Sequence, residues 1–243
     1  MENSKNIDYK NKPEFLLHGM WAKSSFVKCK GCSIGIDKIL LEFVPKDEKT
    51  GAKNGPEIQI YLRFEHIIKL KSLLETKDLN KKRLASITAA EADKEKGGSG
   101  YAKDIYDAGP MGKKATGDKP AIARQFTIAP STAKNKDGEY AYDYVLVARK
   151  GEGREIPQGN GKVLIAFKDY KSAQVIRVPI KGVDLAVLIG HSYMLFQSRM
   201  NERYLAFTEE MKKWPIENGV YMQSQNAFDQ EEGPIGEPYG DEY

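Results

Sequence analysis

Three separate stretches of this chain alternate apolar and polar residues with a period of two, and that pattern restricts it to folds built on antiparallel, half-buried sheets. Ile58, Ile60 and Leu62 interleave with Gln59, Tyr61 and Arg63, and the stretches Glu139 to Ala148 and Ala173 to Ile180 behave in the same way. Side chains on a strand point alternately to its two faces, so each stretch predicts a strand with one dry face. Two of them lead into apolar residues at helical spacing. Ile67, Ile68, Leu70, Leu73 and Leu74 predict a helix over Glu65 to Glu75, and a long apolar helix is predicted from about Val183 to Phe207.

Further strands are predicted in Ser33 to Val44, Arg124 to Ile128 and Lys162 to Lys168, with a loop at Pro45 to Gly55 and a Gly-rich turn at Gly151 to Gly161. At an offset of 118 residues Ile58, Ile60 and Leu62 fall on Ile176, Val178 and Ile180, while Ile67 and Leu70 fall on Leu185 and Leu188. Either the halves are related, pairing as a pseudo-dimer, or any strand-to-helix junction looks like this. The expected fold class is α+β: antiparallel sheets plus helices, in two strand-strand-helix halves with a disordered acidic C-terminal tail. The expected organisation is an arm (1–22), a first β-rich half ending in a helix (23–80), a flexible Lys/Gly-rich linker or insertion (81–120), a second half ending in a long helix (121–214) and the tail (215–243).

Composition removes several classes. With 40% hydrophobic and 10% aromatic residues there is enough to bury for a folded body. No apolar run reaches the length of a membrane span, and the polar N-terminus does not resemble a secretory signal, so a cytoplasmic location, bacterial or in an infected host cell, is expected. The net charge of +4 conceals an asymmetry. Asp229, Glu231, Glu232, Glu237, Asp241 and Glu242 are six acids in a stretch without a base, and without them the remaining body carries +10. A basic body points to a polyanionic partner and an acidic tail to a solvated arm.

Signatures of catalysis are wanting. The run Gly109 to Thr116 fails the spacing of a phosphate loop, and Gly151-Glu152-Gly153-Arg154 lacks the third glycine of a dinucleotide fingerprint. Cys29 and Cys32 have no second pair to complete a zinc site, for which His18, His66 and His191 would have to converge from distant segments, and neither His66 nor His191 has a nucleophile or acidic partner at a telling spacing. No enzyme, cofactor or metal is expected.

The strongest positive signal is Glu139 to Lys150. On a strand Tyr140, Tyr142 and Tyr144 share one face at about 7 Å intervals, a platform on which unpaired bases can stack at about 1–3 kcal/mol each. Arg149, Lys150, Lys162, Lys168, Tyr170, Lys171, Arg177 and Lys181 would supply phosphate contacts, with Lys28, Lys30, Tyr61 and Arg63 their weaker counterparts in the first half. The alternative is that the tyrosines pack beneath a helix. In the tail, Ile235, Tyr239 and Tyr243 punctuate the acids as hydrophobic anchors, which marks either a recognition arm or a plain solvated end.

An acidic, Gly/Pro-containing tail ending in Asp241, Glu242 and Tyr243 on a basic, strand-rich body resembles the single-stranded DNA-binding proteins of bacteria and phages, with Tyr243 in place of the usual terminal Phe. The resemblance implies that the tip docks replication and repair proteins and competes with DNA for the basic groove. The strands-then-helix order is similar to the Whirly-type topology, which implies single strands bound on sheet faces. The sequence thus leads to a non-sequence-specific single-stranded DNA-binding protein of a phage or mobile element. Replication or recombination proteins are its expected tail partners, with Asp229, Glu231, Glu232, Glu237, Tyr239, Asp241, Glu242 and Tyr243 as the docking residues. A virion or conjugation assembly protein and an RNA-binding protein are the alternatives, and self-association into a homo-oligomer is left open.

Overall fold

The computed structural model describes residues 16–31, 37–159 and 162–218, with side chains described as far as residue 210. The first sheet is β1 (Leu16–Trp21), β2 (Ser25–Lys30), β3 (Lys38–Pro45) and β4 (Ile58–Arg63), antiparallel and in chain order. Two helices follow, α1 (Phe64–Glu75) and α2 (Asp78–Glu95). The second sheet is β5 (Tyr106–Lys113), β6 (Ile122–Pro130), β7 (Tyr144–Pro157), β8 (Val163–Phe167) and β9 (Gln174–Ile180), and α3 (Gly182–Asn218) ends the described chain. The expected α+β class, antiparallel sheets with helices, is therefore what the protein forms.

The contacts divide the chain at Phe196, with both sheets in the first unit. The dry faces of the two sheets share one core, where the rings of Phe43 on β3 and Phe126 on β6 lie 6.1 Å apart. Each such buried aromatic contributes about 2 kcal/mol through its removal from water. Ile67 and Leu70 of α1, Leu79 of α2 and Leu185, Leu188 and Phe196 of α3 close the same core, and Phe64 meets Phe196 at 4.8 Å between ring centres.

The residues aligned by the offset of 118 occupy like places. Ile58, Ile60, Leu62, Ile67 and Leu70 are buried where β4 leads into α1, and Ile176, Val178, Ile180, Leu185 and Leu188 are buried where β9 leads into α3. With β8 set aside, the order β5-β6-β7-β9 repeats β1-β2-β3-β4.

Residues 16–21 of the expected arm form β1, paired with β2, and three further expectations are corrected. The segment 81–120 is not a flexible linker. Most of α2 and all of β5 lie in it. The helix escapes a periodicity reading because only Leu79, Ile87 and Ala90 of its 18 residues are buried. β5 escapes because Gly109 and Pro110 punctuate it, and it accommodates them as an edge strand with a register shift between Asp107 and Pro110. Second, the strand expected from Glu139 begins only at Tyr144. Third, Gly151 and Gly153 are not in a turn but inside β7. A Cβ on Gly153 would stand 2.6 Å from Ile165, and one on Gly151 would stand 3.2 Å from Phe167, so these glycines serve the close approach of β8.

Candidate functional site

The tyrosine ladder does not form. Tyr140 lies in an isolated bridge to Lys134 and Tyr142 precedes β7, so the three rings have no common strand to align them. Tyr144 is 4% exposed and belongs to the core, beneath the Arg83 guanidinium. Tyr140 faces Arg83 and Lys134 and is hydrogen-bonded to Glu91 at 3.4 Å. Between them the backbone of Asp143 is bonded to Ile180 and Ser131, and its carboxylate is engaged as well. Its Oδ2 accepts the Gly182 N–H at 2.7 Å, capping α3, and its Oδ1 lies 3.6 Å from Arg83.

Two of the expected phosphate-binding cations are committed internally. Arg149 is buried on β7, where it donates to Thr127 Oγ1 at 3.1 Å, pairs with Asp104 at 3.8 Å and lies over the ring of Tyr170. Lys30 is 6% exposed and ion-paired with Glu42 at 2.8 Å. Alternation puts both on the face opposite the core residues Cys29 and Ala148, yet both are buried there, where a charge persists only with a partner. Lys168 pairs with Glu152 in the open, and Lys28 sits over Phe26. Lys162, Lys171, Arg177 and Lys181 are exposed, and Lys150 is half-buried. Tyr170 is half-exposed, its hydroxyl donating to Gln125 Oε1 at 2.9 Å. These residues are not gathered into one site. The tail residues Asp229, Glu231, Glu232, Glu237, Tyr239, Asp241, Glu242 and Tyr243 lie outside the described residues, as does Cys32. Cys29 is buried at 3.5 Å from the Ser192 hydroxyl, and burial pushes its thiol up to about 12, which keeps it protonated and unreactive.

The structure brings together Tyr61, Arg63, Lys38, His66 and Arg124 around a cleft of about 470 Å³ at the edge of the first sheet. Met111 of β5 and Val163 and Ile165 of β8 give it an apolar wall, and no acidic side chain lines it. Lys38 and Arg63 are cross-strand partners in the β3–β4 register. Like charges placed opposite one another repel and cost up to about 1 kcal/mol. Among the described residues none of Lys38, Arg63 and Arg124 has an ion-pair partner.

Arg124 is the most constrained member. It precedes Phe126 and Ile128 by two and four residues on β6, so alternation puts it on the inward face of the sheet, at the end where the cleft opens. Its Nε is buried without a hydrogen-bond partner among the described residues, and burial depresses its proton affinity. An unpartnered guanidinium nitrogen in a concave, acid-free site is a donor prepared for an anion. His66, at the start of α1, stays neutral because burial lowers its pKa. The hydroxyl of Tyr106, whose phenol burial pushes up to about 12, is hydrogen-bonded to His66 Nδ1 at 3.3 Å and so orients the imidazole. The site thus offers three permanent cations, one aromatic ring, one titratable imidazole and an apolar wall.

Of these residues only Tyr61 and Arg63 are among the contacts expected from the sequence; Lys38, Arg124 and His66 are not. One signal was available: Arg124 occupies an apolar position of an alternating strand, where a charged residue needs a reason. The register that sets Lys38 against Arg63 is a tertiary fact that spacing does not disclose. Comparison of the chain with protein-family models, with curated proteins and with solved structures finds no match. Among the described residues no helix is long and apolar enough to cross a membrane.

Proposed function

We propose that this chain is a non-enzymatic, non-sequence-specific single-stranded DNA-binding protein of a phage or mobile element, acting in DNA replication or recombination. The observation that carries the reading is the acid-free cleft in which Lys38, Arg63 and Arg124 stand without ion-pair partners beside Tyr61. Phosphates would satisfy the cations and a base would stack on Tyr61 against the apolar wall. A cleft of about 470 Å³ suits a nucleotide drawn out of a strand and not a duplex. The two halves are proposed as related units pairing as a pseudo-dimer, supported by their repeated strand order and by the burial of equivalent residues. The acidic tail would recruit replication or recombination proteins and compete with DNA for the cationic surface, as its resemblance to bacterial and phage tails suggests.

The test is fluorescence anisotropy with labelled single-stranded DNA against matched RNA and duplex at several salt concentrations. Preferential binding to the single strand is expected, with a log–log salt slope that shrinks by about 0.7 for each cleft cation removed. Stronger binding to RNA would reassign the substrate. Unchanged binding in a folded variant lacking Lys38, Arg63 and Arg124 would falsify the cleft as the site.

A further inference from the structure

From Gln197 onwards α3 belongs to the second compact unit, and no described residue from 197 to 210 is buried. Yet Met200, Tyr204 and Phe207 are 48%, 70% and 57% exposed. They recur at spacings of four and three along the helix, and the sequence carries the same alternation on to Met211 and Trp214. A four-three apolar repeat is the seam of a helix that packs against another helix. The polar pair Arg199 and Glu202, bonded to each other at 3.1 Å, lies on the opposite face of the helix.

We infer that this seam binds a second copy of the chain as an antiparallel helix pair. The charges choose both the partner and its direction. With Tyr204 and Met211 at the first core position of the heptad, Met200, Phe207 and Trp214 take the second, and Arg203 and Glu210 both take the flanking position that precedes the first. In a parallel pair Arg203 would face the neutral Thr208 and Glu210 would face Pro215. In an antiparallel pair the register that puts position 204 across from position 207 also puts Arg203 across from Glu210 of the second copy, and Glu210 across from its Arg203. Asn201 then meets Thr208 on the other side. One self-complementary surface thereby closes with two-fold symmetry, as an isologous contact requires.

The test is sedimentation equilibrium of the full chain over a wide concentration range. A monomer–dimer equilibrium is expected. Arg203→Glu or Glu210→Arg should each raise the dissociation constant about tenfold by turning two attractions into repulsions. An equimolar mixture of those two variants should recover wild-type affinity, because each then presents the charge that the other needs. Phe207→Ser, at an exposed position that leaves the fold intact by circular dichroism, should weaken the dimer about a hundredfold. A chain that stays monomeric, a dimer indifferent to Phe207→Ser, or charge variants that do not rescue each other would overturn the inference. So would dimerisation that appears only after removal of residues 219–243, which would make the tail the occupant of the seam.

Discussion

Lys38 and Arg63 face each other directly across β3 and β4, and no acid lines the cleft they share. The fold therefore spends stability to hold two positive charges together, and separating the two effects is straightforward. Lys38→Ala is expected to leave the melting temperature unchanged or to raise stability by about 0.5 kcal/mol. The same substitution should weaken single-stranded DNA binding and lower the salt slope by about 0.7. Thermal unfolding and anisotropy on one preparation check both signs.

Arg124→Met provides a sharper contrast. It removes a half-buried charge whose Nε lacks a partner and keeps the volume of the side chain. The protein should be no less stable, and nucleic-acid affinity should fall about tenfold or more through loss of a charge-assisted hydrogen bond. A large loss of stability with unchanged affinity would assign Arg124 to the core.

The tyrosines should separate by depth. Tyr144→Ala is expected to cost about 3 kcal/mol of stability, since the ring is in the core. Tyr140→Ala should cost less than about 1 kcal/mol and leave binding unchanged. Tyr61→Ala should leave the fold intact and lose about 1–2 kcal/mol of DNA affinity. Chemical denaturation and anisotropy measure the three effects.

What the sequence disclosed and what it concealed follow from the range of each interaction. Ile58 to Arg63 and Gln174 to Ile180 were legible because period-two burial is local, and Phe64 to Glu75 because its apolar residues recur at helical spacing. Asp78 to Glu95 was not, because α2 is held by a few buried residues and by tertiary ties such as Arg83 to Asp143 and the Ser86 hydroxyl to the Lys103 carbonyl. For the site, Tyr61 and Arg63 were visible as types. Arg149 and Tyr144 looked free because nothing local announces Asp104 or the α3 cap.

The response to acid should run in opposite directions for stability and binding. Burial holds His18 and His66 below the ordinary imidazole value of 6.5, so the unfolded chain takes up protons first. The contribution of the neutral rings is complete above pH 6.5 and is lost as pH falls through that value towards the lowered folded values. Melting temperature should therefore fall as pH is lowered from 7 through 6.5, and less steeply in His66→Gln. Affinity for DNA should rise over the same range as His66 adds a cation to the cleft, and His66→Gln should abolish that rise.

The buried pair of Lys30 and Glu42, 2.8 Å apart, makes a prediction of its own. Lys30→Met should cost about 3 kcal/mol by leaving a carboxylate uncompensated. Adding Glu42→Leu should recover most of that loss, and denaturant midpoints of the single and double variants measure it.

β7 is bonded along one side by β6, while its other side is divided, the first part to β9 and the last to β8. In synthesis the order is reversed, because β8 leaves the ribosome before β9. The apolar stretch Tyr144 to Ala148 therefore waits as an unpaired edge, offered to any neighbouring chain, until Gln174–Ile180 has emerged.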